Sequence, residues 1–448
     1  MSLRKQAAFL VVMHAADVLQ PLVVLPYAGR VLEPIHFGQY AYALSVGQFA
    51  ATIVEYGFHW TGQRAAALAR HQPAVIARLF AEVSATKAIL CLVVTVVGLI
   101  ASDRFLAISA PMFLCAMLTS VGGILFPAWL FIALERAWQA AIAVVVARGL
   151  ALVCFLIFVT SPNQLMLAIA IQAAVPLVSG VVSLPFAAPI GYGGFQSVTL
   201  SQIGAQLRSG WRGFLFTLVD RIFVILPVPL VEHFGGYVAA GQYSVAEKFV
   251  GATRPFLRVV SDTLLPRVAY YAHHDYTSGL ALIRNSLSTL VVSTALSLCL
   301  FFIAPYFIII LFGEDFSDAA SLVRPMSVIP ILMNVNLCTS NLYMFNFGHE
   351  RAWTSLTVAG LVIFLAVANV LSVRLADGAL AVVLAVVARE SVVLVVSTGF
   401  FAFGFLRPHR LRAADLGGPS THRVPASSMP ATRGRSGPPL LDPLRSER

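Results

Sequence analysis

The residues of this sequence most able to do chemistry are charged side chains that lie inside long apolar segments. Such a charge costs about 3 kcal/mol or more in hydrocarbon, so it should face a partner or a water-filled cavity. They form two groups: Asp17, Arg30 and Glu55 near the start, and Asp220, Arg221, Glu247, Lys248, Arg254, Arg258 and Asp262 further along. We expect the functional site to be built from these residues.

Four residues of the second group, together with Gly251, have the spacing of one helix face. Glu247, Gly251, Arg254, Arg258 and Asp262 follow one another at intervals of three or four residues, which aligns them along a single α-helix. Bases exceed acids on this stretch, and a guanidinium matches the oxygens of a phosphate, so one interpretation is a cavity for an anionic ligand. The other interpretation is that these acids and bases neutralise each other as structural ion pairs.

Motifs typical of enzymes and of metal or cofactor sites are missing from the sequence. It has no nucleophile elbow, no phosphate-binding glycine loop and no metal-ligand spacing, so we predict no catalytic residue, cofactor or metal. His273-His274-Asp275 is the nearest approach to a ligand cluster and is interpreted as a solvated loop. The five cysteines lie in apolar runs and are expected to be small buried hydrophobic residues.

The composition indicates an all-α integral membrane protein. Hydrophobic residues make up 58% of the 448 residues, charged residues 11%, and the mean hydropathy is +0.84, far from soluble domains. The net charge of +10 does not indicate nucleic acid, because the arginine-rich tail at 407–448 and bases flanking apolar runs account for it. That tail is predicted to be disordered.

About twelve segments are long and apolar enough to cross the hydrocarbon core, which takes about 20 residues of helix. They lie near 7–28, 38–58, 79–101, 107–132, 139–160, 165–187, 212–233, 238–265, 286–311, 320–347, 352–373 and 379–405. Bases are concentrated in every second connection, so the positive-inside rule predicts that both termini are cytoplasmic. The predicted outer loops are short and leave no room for a catalytic domain.

Two short motifs recur and indicate an internal duplication. Gly38-Gln39-Tyr40 returns at 241–243, an offset of 203 that also aligns Asp17 with Asp220 and Glu55 with Arg258, and Glu-Arg-Ala-Trp at 135–138 returns at 350–353. An even number of helices in each copy predicts parallel copies related by an axis along the membrane normal. The predicted parts are a six-helix lobe at 1–187, a cytoplasmic linker at 188–211, a second six-helix lobe at 212–406 and the tail.

Several other charges are interpreted structurally. Glu135-Arg136 and the matching Glu350-Arg351 are predicted to cap the helices that follow them, beside interfacial tryptophans. Arg148 and the Arg389-Glu390 pair are expected to find partners within their own lobes. Prolines in the first and seventh predicted spans suit helices that bend during gating.

These features together resemble a known family, the lipid-linked oligosaccharide flippases of the Wzx type. Their superfamily also holds multidrug extruders and the lipid II flippase. The resemblance covers about 1–405 and rests on the order of several short motifs. They are Tyr27, Gly29-Arg30-Val31-Leu32, Phe37-Gly38-Gln39-Tyr40, Tyr56-Gly57-Phe58, Pro127, Trp129-Leu130-Phe131, Glu135-Arg136, Tyr243-Ser244, Ala246-Glu247-Lys248, Pro266-Arg267, Phe312-Gly313, Gly348 and Glu350-Arg351. An acid commonly stands at position 55, where this chain has Glu in place of the usual Asp.

The resemblance implies a V-shaped pair of lobes in the bacterial inner membrane that moves undecaprenyl-diphosphate-linked sugar units between leaflets by ion-coupled alternating access. By this resemblance, the substrate-binding bases would be Arg30, Arg221, Lys248, Arg254 and Arg258. The residues for ion coupling, or for holding those bases in place, would be Asp17, Glu55, Asp220, Glu247 and Asp262. The implied partners are the lipid-linked oligosaccharide and membrane lipids, with a polysaccharide polymerase and a chain-length regulator left open.

Other functions remain to be weighed against this one. A multidrug exporter of the MATE type shares the two-lobed plan, but its cavity would be rich in acids and aromatic residues rather than arginine. A membrane polymerase or glycosyltransferase would need a long outer loop, which the sequence does not predict. A purely structural scaffold does not explain so many charges inside spans.

Overall fold

The architecture of the chain is helical throughout the part that the computed structural model describes, which comprises residues 3–187, 197–344 and 346–406. Within these ranges every regular element is a helix and none is a strand. The all-α prediction is therefore confirmed. Large apolar side chains such as Leu92, Ile100 and Val291 point outward, as expected where a helix faces lipid.

The described residues of the first copy contain eight α-helices. They are α1 (Leu3–Glu55), α2 (Phe58–Leu68), α3 (Pro73–Phe105), α4 (Ala110–Leu125), α5 (Ala128–Ala133), α6 (Ala137–Phe158), α7 (Leu165–Ala173) and α8 (Val175–Ala187). The second copy contains ten: α9 (Leu200–Ile225), α10 (Pro227–Gly251), α11 (Arg254–His274), α12 (Tyr276–Ser286), α13 (Leu290–Phe302), α14 (Ala304–Phe312), α15 (Ser317–Met326), α16 (Ile329–Asn336), α17 (Glu350–Arg374) and α18 (Gly378–Leu406). A π-helical stretch, Leu337–Met344, continues α16.

The number of helices that can cross a membrane agrees with the predicted twelve. In the described ranges nine helical segments are long and apolar enough, and one bent pair between 314 and 344 adds a tenth. Two of the nine, Val11–Leu68 and Gly213–Leu265, have 58 and 53 residues, more than twice the length of one crossing. Each is interrupted by a kink and can supply two crossings.

These two kinks lie at equivalent positions of the duplication. The backbone leaves the helical region at Glu33 in α1 (φ 61°) and at Gly236 in α10 (φ 75°), and the two residue numbers differ by 203. The starts of α3 at Pro73 and α12 at Tyr276 differ by the same amount. The structure therefore repeats the offset that the Gly-Gln-Tyr motif gave.

The two glycines of the repeated Gly-Gln-Tyr motif contact each other, which explains why the motif recurs. A Cβ on Gly241 would meet the Cα of Gly38 at 3.2 Å, and a Cβ on Gly38 would meet the carbonyl oxygen of Tyr237 at 1.8 Å. In the reciprocal contact, a Cβ on Gly241 would lie 3.2 Å from the carbonyl oxygen of Pro34. Because Pro34 and Tyr237 are also equivalent, α1 and α10 cross on the axis that relates the two copies.

Apolar packing joins the two copies at the end where the kinks lie, which we call the hairpin end. One buried cluster runs from α1 and α4 to α10, α14 and α15. Within it Phe37 packs edge-on against Phe316, with ring centroids 5.4 Å apart. Two smaller clusters, around Trp129 and around Tyr343, each belong to one copy. Among the described residues, the buried cluster that both copies share includes the hairpin end.

Helix α9 connects the copies at the opposite end. Near its start Gln206 donates to Glu82 Oε2 at 2.8 Å, and Phe214 stacks on Tyr56 with centroids 4.6 Å apart. The helix begins at Leu200, so the second half of the predicted linker is helical and lies against the first copy. Residues 188–196 and the predicted tail at 407–448 lie outside the described residues.

The residues in the N-cap positions of α6 and α17 do not cap these helices, and the side chain of Glu350 lies outside the described part of the structure. Arg136 occupies the N-cap position of α6 and His349 that of α17, and neither makes a side-chain cap hydrogen bond. Glu135 has a left-handed backbone (φ 58°) and contacts Arg70 at 3.6 Å.

Candidate functional site

The candidate site is a cavity of about 330 Å³ inside the second copy. Helices α9, α10, α11, α16, α17 and α18 form its walls, together with the π-helical stretch after α16. Its charged lining residues are Glu247, Arg254, Arg258, Arg389 and Glu390. Two of the five predicted substrate-binding bases, Arg254 and Arg258, therefore line one cavity. Arg389 and Glu390, which the sequence analysis interpreted as structural, line it too.

Glu247 is the buried anion of this cavity. It is 5% exposed and contacts two bases, Lys248 Nζ at 3.0 Å and Arg254 Nη2 at 3.1 Å. A buried carboxylate is stable only when bases and hydrogen bonds compensate for its lost hydration. Lys248 is about half exposed and is not a lining residue. The ion pair that lines the cavity is therefore Glu247–Arg254.

The predicted continuous helix face from Glu247 to Asp262 is wrong in one respect. Helix α10 ends at Gly251 and α11 starts at Arg254, so a turn divides the face. Pro255, near the first residue of α11, has no N–H to donate back into the preceding turn, which favours a helix start at this point. Arg258 still lines the cavity, while the side chain of Asp262 lies outside the described part of the structure.

A second charged group on α18 completes the cavity. Arg389 Nη1 donates to Glu390 Oε1, and the guanidinium lies 3.8 Å above the ring centre of Phe223 on α9. Asn336 Nδ2 donates to Glu390 Oε2 at 2.6 Å and to the Glu390 carbonyl at 3.2 Å. The interpretation of Arg389 and Glu390 as a pair is correct, but no sequence pattern indicated that they line the same cavity as Arg254.

In the first copy, Asp17 and Arg148 form a polar cluster with two glutamines. Arg148 Nη2 donates to Asp17 Oδ1 at 2.8 Å, and its Nη1 donates to Gln20 Oε1 at 3.0 Å. Gln20 in turn donates to Gln172 at 3.2 Å. Asp17 and Arg148 are 39% and 24% exposed, so this pair is partly shielded from solvent and joins α1 to α6.

Glu55 also has a base as its partner, one that the sequence interpretation missed. Lys87 Nζ lies 2.5 Å from Glu55 Oε2 and 3.2 Å from the carbonyl of Gly123. The Lys87 side chain is 2% exposed and that of Glu55 is 29% exposed. A single lysine within the apolar stretch 79–101 was the available signal, because a charge there requires a partner.

Arg30 lies at the hairpin end and is not a lining residue of the cavity. Its Nε donates to the carbonyl of Leu311 at 2.7 Å, and its Nη2 donates to that of Ile310 at 2.5 Å. These carbonyls belong to the last turn of α14, where carbonyl groups lack helical partners. Arg30 therefore caps a helix of the second copy from a helix of the first.

The remaining predicted residues lie on α9. Arg221 is exposed. It lies near enough to His59 to interact with it electrostatically, and Glu55 and Lys87 are equally within reach of His59. It faces the first copy and is not among the residues lining the cavity. Asp220 is on the same helix, and its side chain lies outside the described part of the structure.

Comparison with known proteins supports a transport function. Residues 3–272 match the model of a family described as polysaccharide biosynthesis protein. The chain belongs to this family. Two curated relatives, from Shigella dysenteriae and Escherichia coli (strain K12), both carry the name "Putative O-antigen transporter". They are 24% and 23% identical over 366 residues, which are 81% and 80% of this chain and 91% and 87% of the relatives.

A solved structure shares the fold of this family member. It is the inward-facing conformation of a multidrug resistance MATE family transporter of the MOP superfamily. The TM-score is 0.59 at 17% identity, over 92% of this chain and 96% of the other. The predicted resemblance to Wzx-type flippases is confirmed, and the chain is a multi-pass membrane transporter.

Proposed function

We propose that this transporter is a flippase for oligosaccharides linked through a diphosphate to a polyprenyl lipid. It would work in the bacterial inner membrane with both termini in the cytoplasm, carrying repeat units to the outer leaflet for surface polysaccharide synthesis. A polysaccharide polymerase and a chain-length regulator are the proposed protein partners. The observation that supports this most strongly is the set of bases at one end of the second copy's cavity.

The chemistry of that end suits a diphosphate. Arg254 and Arg258 line it, and two bases, Lys248 and Arg254, contact the buried Glu247. A guanidinium donates two parallel hydrogen bonds to phosphate oxygens, and such charge-assisted bonds are about twice as strong as neutral ones. Glu247 holds Arg254 in place before the substrate arrives, which reduces the entropy lost on binding.

The contacts at the hairpin end suit one state of an alternating-access cycle. The shared core around Phe37 and the hydrogen bonds of Arg30 hold the copies together there. At the opposite end each copy has a separate core. With the predicted orientation this state opens towards the cytoplasm, where the substrate is made. Transport would then need the hairpin end to separate.

The direct test is to replace Arg258 by Ala and by Lys in a strain that lacks its own flippase. We expect the Ala variant to lose most surface polysaccharide at normal membrane abundance, since a lost charge-assisted contact costs about 1.5–3 kcal/mol. The Lys variant keeps the charge but not the fork, and we expect an intermediate level. Arg374→Ala, on an exposed helix end, is the matched control. Full restoration by Arg258→Ala would exclude the proposed role.

The same strains distinguish the flippase function from drug export, the other function known in this superfamily. Both described carboxylates of the cavity, Glu247 and Glu390, already contact bases, which leaves little negative charge for a cationic drug. We therefore expect sensitivity to cationic dyes to be unchanged when the gene is deleted. A marked rise in sensitivity, without loss of polysaccharide, would favour export of drugs.

A further inference from the structure

A surface pocket of about 400 Å³ lies where α11 packs against α12. Its lining residues are Arg267, Tyr270, Tyr271 and Leu282, and we call it the α11 pocket. None of the four lines the cavity that holds Arg254 and Arg258. The α11 pocket is therefore a separate place where a ligand can bind.

The α11 pocket lies at the edge of the apolar part of the chain. One apolar helical segment ends at Leu265 and the next begins at Tyr276, so Arg267 and the two tyrosines fall between two membrane spans. Phe256 precedes Arg267 by 11 residues, about three turns along the same face of α11, and is 65% exposed. An exposed phenylalanine suits contact with acyl chains, whereas tyrosine and arginine at a helix end suit the level of the headgroups.

The charge of Arg267 is not compensated within the described residues. Its side chain is exposed, and no acid or other acceptor in this part of the chain contacts the guanidinium. Asp275, the acid of the turn between α11 and α12, instead accepts hydrogen bonds from Thr277 and Ser278. A guanidinium matches the oxygens of a phosphate and can donate two parallel hydrogen bonds to them. Arg267 is therefore available to an anion.

The two tyrosines of the α11 pocket are held by ring contacts and keep their hydroxyls available. The Tyr270 ring stacks on His274 with centroids 4.1 Å apart and lies edge-on to Tyr271 at 5.5 Å. Within the described residues neither hydroxyl has a hydrogen-bond partner. Phosphate oxygens only accept hydrogen bonds, and both hydroxyls can donate. The pocket thus offers three donor groups to an anion beside the apolar side chain of Leu282.

The first copy has the base but not the tyrosines. The offset of 203 places Arg64 opposite Arg267, and the starts of α3 and α12 keep this offset. At the positions of the two tyrosines the first copy has Ala67 and Leu68. The positive-inside rule accounts for a base in both copies. It does not account for two adjacent tyrosines in one of them, which indicates a ligand particular to the second copy.

We propose that the α11 pocket binds the phosphate headgroup of an anionic phospholipid, with an acyl chain lying along the Phe256 face. A phospholipid and a diphosphate-linked substrate share the same phosphate chemistry. We assign the pocket to the phospholipid because it is exposed at the level of the headgroups and lies outside the cavity. With the orientation proposed above this is the inner leaflet, where basic pockets bind anionic headgroups. The site does not depend on which substrate is transported.

The test titrates the purified full-length protein in detergent with phosphatidylglycerol, and with phosphatidylcholine of the same acyl chains as the lipid without net charge. Native mass spectrometry reports the affinity for the first bound lipid. We expect Arg267→Gln to bind phosphatidylglycerol about tenfold more weakly, the effect of one lost charge-assisted contact. Tyr270→Phe and Tyr271→Phe keep the rings and should each weaken binding about threefold. Binding of phosphatidylcholine should not change.

Arg64→Gln is the matched control, because it removes the equivalent exposed base of the first copy. We expect it to bind phosphatidylglycerol as the parent protein does. Thermal unfolding without added lipid shows that each variant is folded, and Arg267, Tyr270 and Tyr271 are all exposed. Equal phosphatidylglycerol binding by Arg267→Gln and the parent would overturn the proposal. An equal loss in Arg64→Gln would also overturn it, since it would show a general effect of surface charge.

Inorganic pyrophosphate distinguishes the two sources of phosphate. Its binding, measured by calorimetry, should be unchanged in Arg267→Gln and weaker in Arg258→Ala, whose side chain lines the cavity. If Arg267→Gln weakens pyrophosphate binding and leaves phosphatidylglycerol binding intact, the assignment to a phospholipid is wrong. Polysaccharide export tests the flippase function by itself, so failure of that function and failure of the lipid site give different results.

Discussion

Gly38 and Gly241, equivalent residues of the two copies, contact each other where α1 crosses α10. A Cβ on Gly241 would lie 3.2 Å from the Cα of Gly38. Equivalent residues can touch only if they lie beside the axis that relates the copies. The duplicated Gly-Gln-Tyr motif is therefore a packing requirement at the centre of the molecule, independent of any substrate.

Replacing these glycines should give a graded loss. A Cβ at Gly38 would come within 1.8 Å of the Tyr237 carbonyl oxygen, and backbone cannot move aside as a side chain can. Overpacking of this kind costs about 1–3 kcal/mol or more. We expect Gly38→Ala to lower the thermal unfolding temperature and to remove surface polysaccharide, and Gly241→Ala, with its nearest atoms at 3.2 Å, to do so less.

Gly399→Ala is the matched control for this series. Gly399 lies within α18 and has open space around its Cβ position, so alanine should be neutral or stabilise the helix by about 1 kcal/mol. Equal stability of Gly38→Ala and Gly399→Ala in detergent would contradict the close crossing of α1 and α10.

The sequence was sufficient for the large-scale features of the fold. Long apolar runs predict membrane helices because backbone groups in lipid must pair within their own segment. The offset of 203 predicted a duplication, and the kinks at Glu33 and Gly236 follow it because equivalent chain positions in a duplicated fold keep their local structure. The division of the polar face after Gly251 was not predictable, because the 3,4 spacing of side chains continues unchanged through a short turn.

The partners of the charged residues could not be predicted in the same way. Asp17 and Arg148 are 131 residues apart, and Glu55 and Lys87 are 32 residues apart. Which base reaches which acid depends on how helices pack, and helical periodicity reports only neighbours three or four positions away. The pair Glu247–Arg254 was predictable because its members are seven residues apart, which is about two helical turns and places both on one helix face.

Arg30 should act as a latch at the hairpin end. Its two hydrogen bonds to the last carbonyls of α14 are charge-assisted, worth about 1.5–3 kcal/mol each at most. Arg30→Ala should favour opening of this end, and Arg30→Lys should have a smaller effect because one ammonium group cannot reach both carbonyls equally. The measurement is maleimide labelling of Phe316→Cys, normally 1% exposed, in a background without the five native cysteines.

This labelling experiment distinguishes a latch role of Arg30 from a substrate-binding role. If Arg30 only bound substrate, labelling of residue 316 would be the same in Arg30→Ala and in the parent protein. Arg374→Ala serves as the control for loss of a surface base, and we expect no change in labelling.

The pair Asp17–Arg148 can be separated from an ion-coupling role by a double substitution. Asp17→Asn and Arg148→Met each leave a partly buried partner without its counter-charge, so each should lower stability and polysaccharide export. The double variant removes both charges and should recover part of both, with a coupling energy of about 0.5–3 kcal/mol. If Asp17 carries the coupling ion, the double variant will remain inactive even when its thermal stability is restored.

The pair Glu55–Lys87 should respond asymmetrically to removal of either member. Lys87 is 2% exposed and Glu55 is 29% exposed, so Glu55→Gln leaves the ammonium buried, with the neutral Gly123 carbonyl as an acceptor. Lys87→Met leaves a carboxylate that water can reach. Breaking a buried pair costs up to about 3–5 kcal/mol, and we expect Glu55→Gln to approach this range and Lys87→Met to cost clearly less. Thermal unfolding in detergent, followed by size-exclusion chromatography, measures the difference, and an equal or reversed order would show that the lysine is better hydrated than its burial indicates.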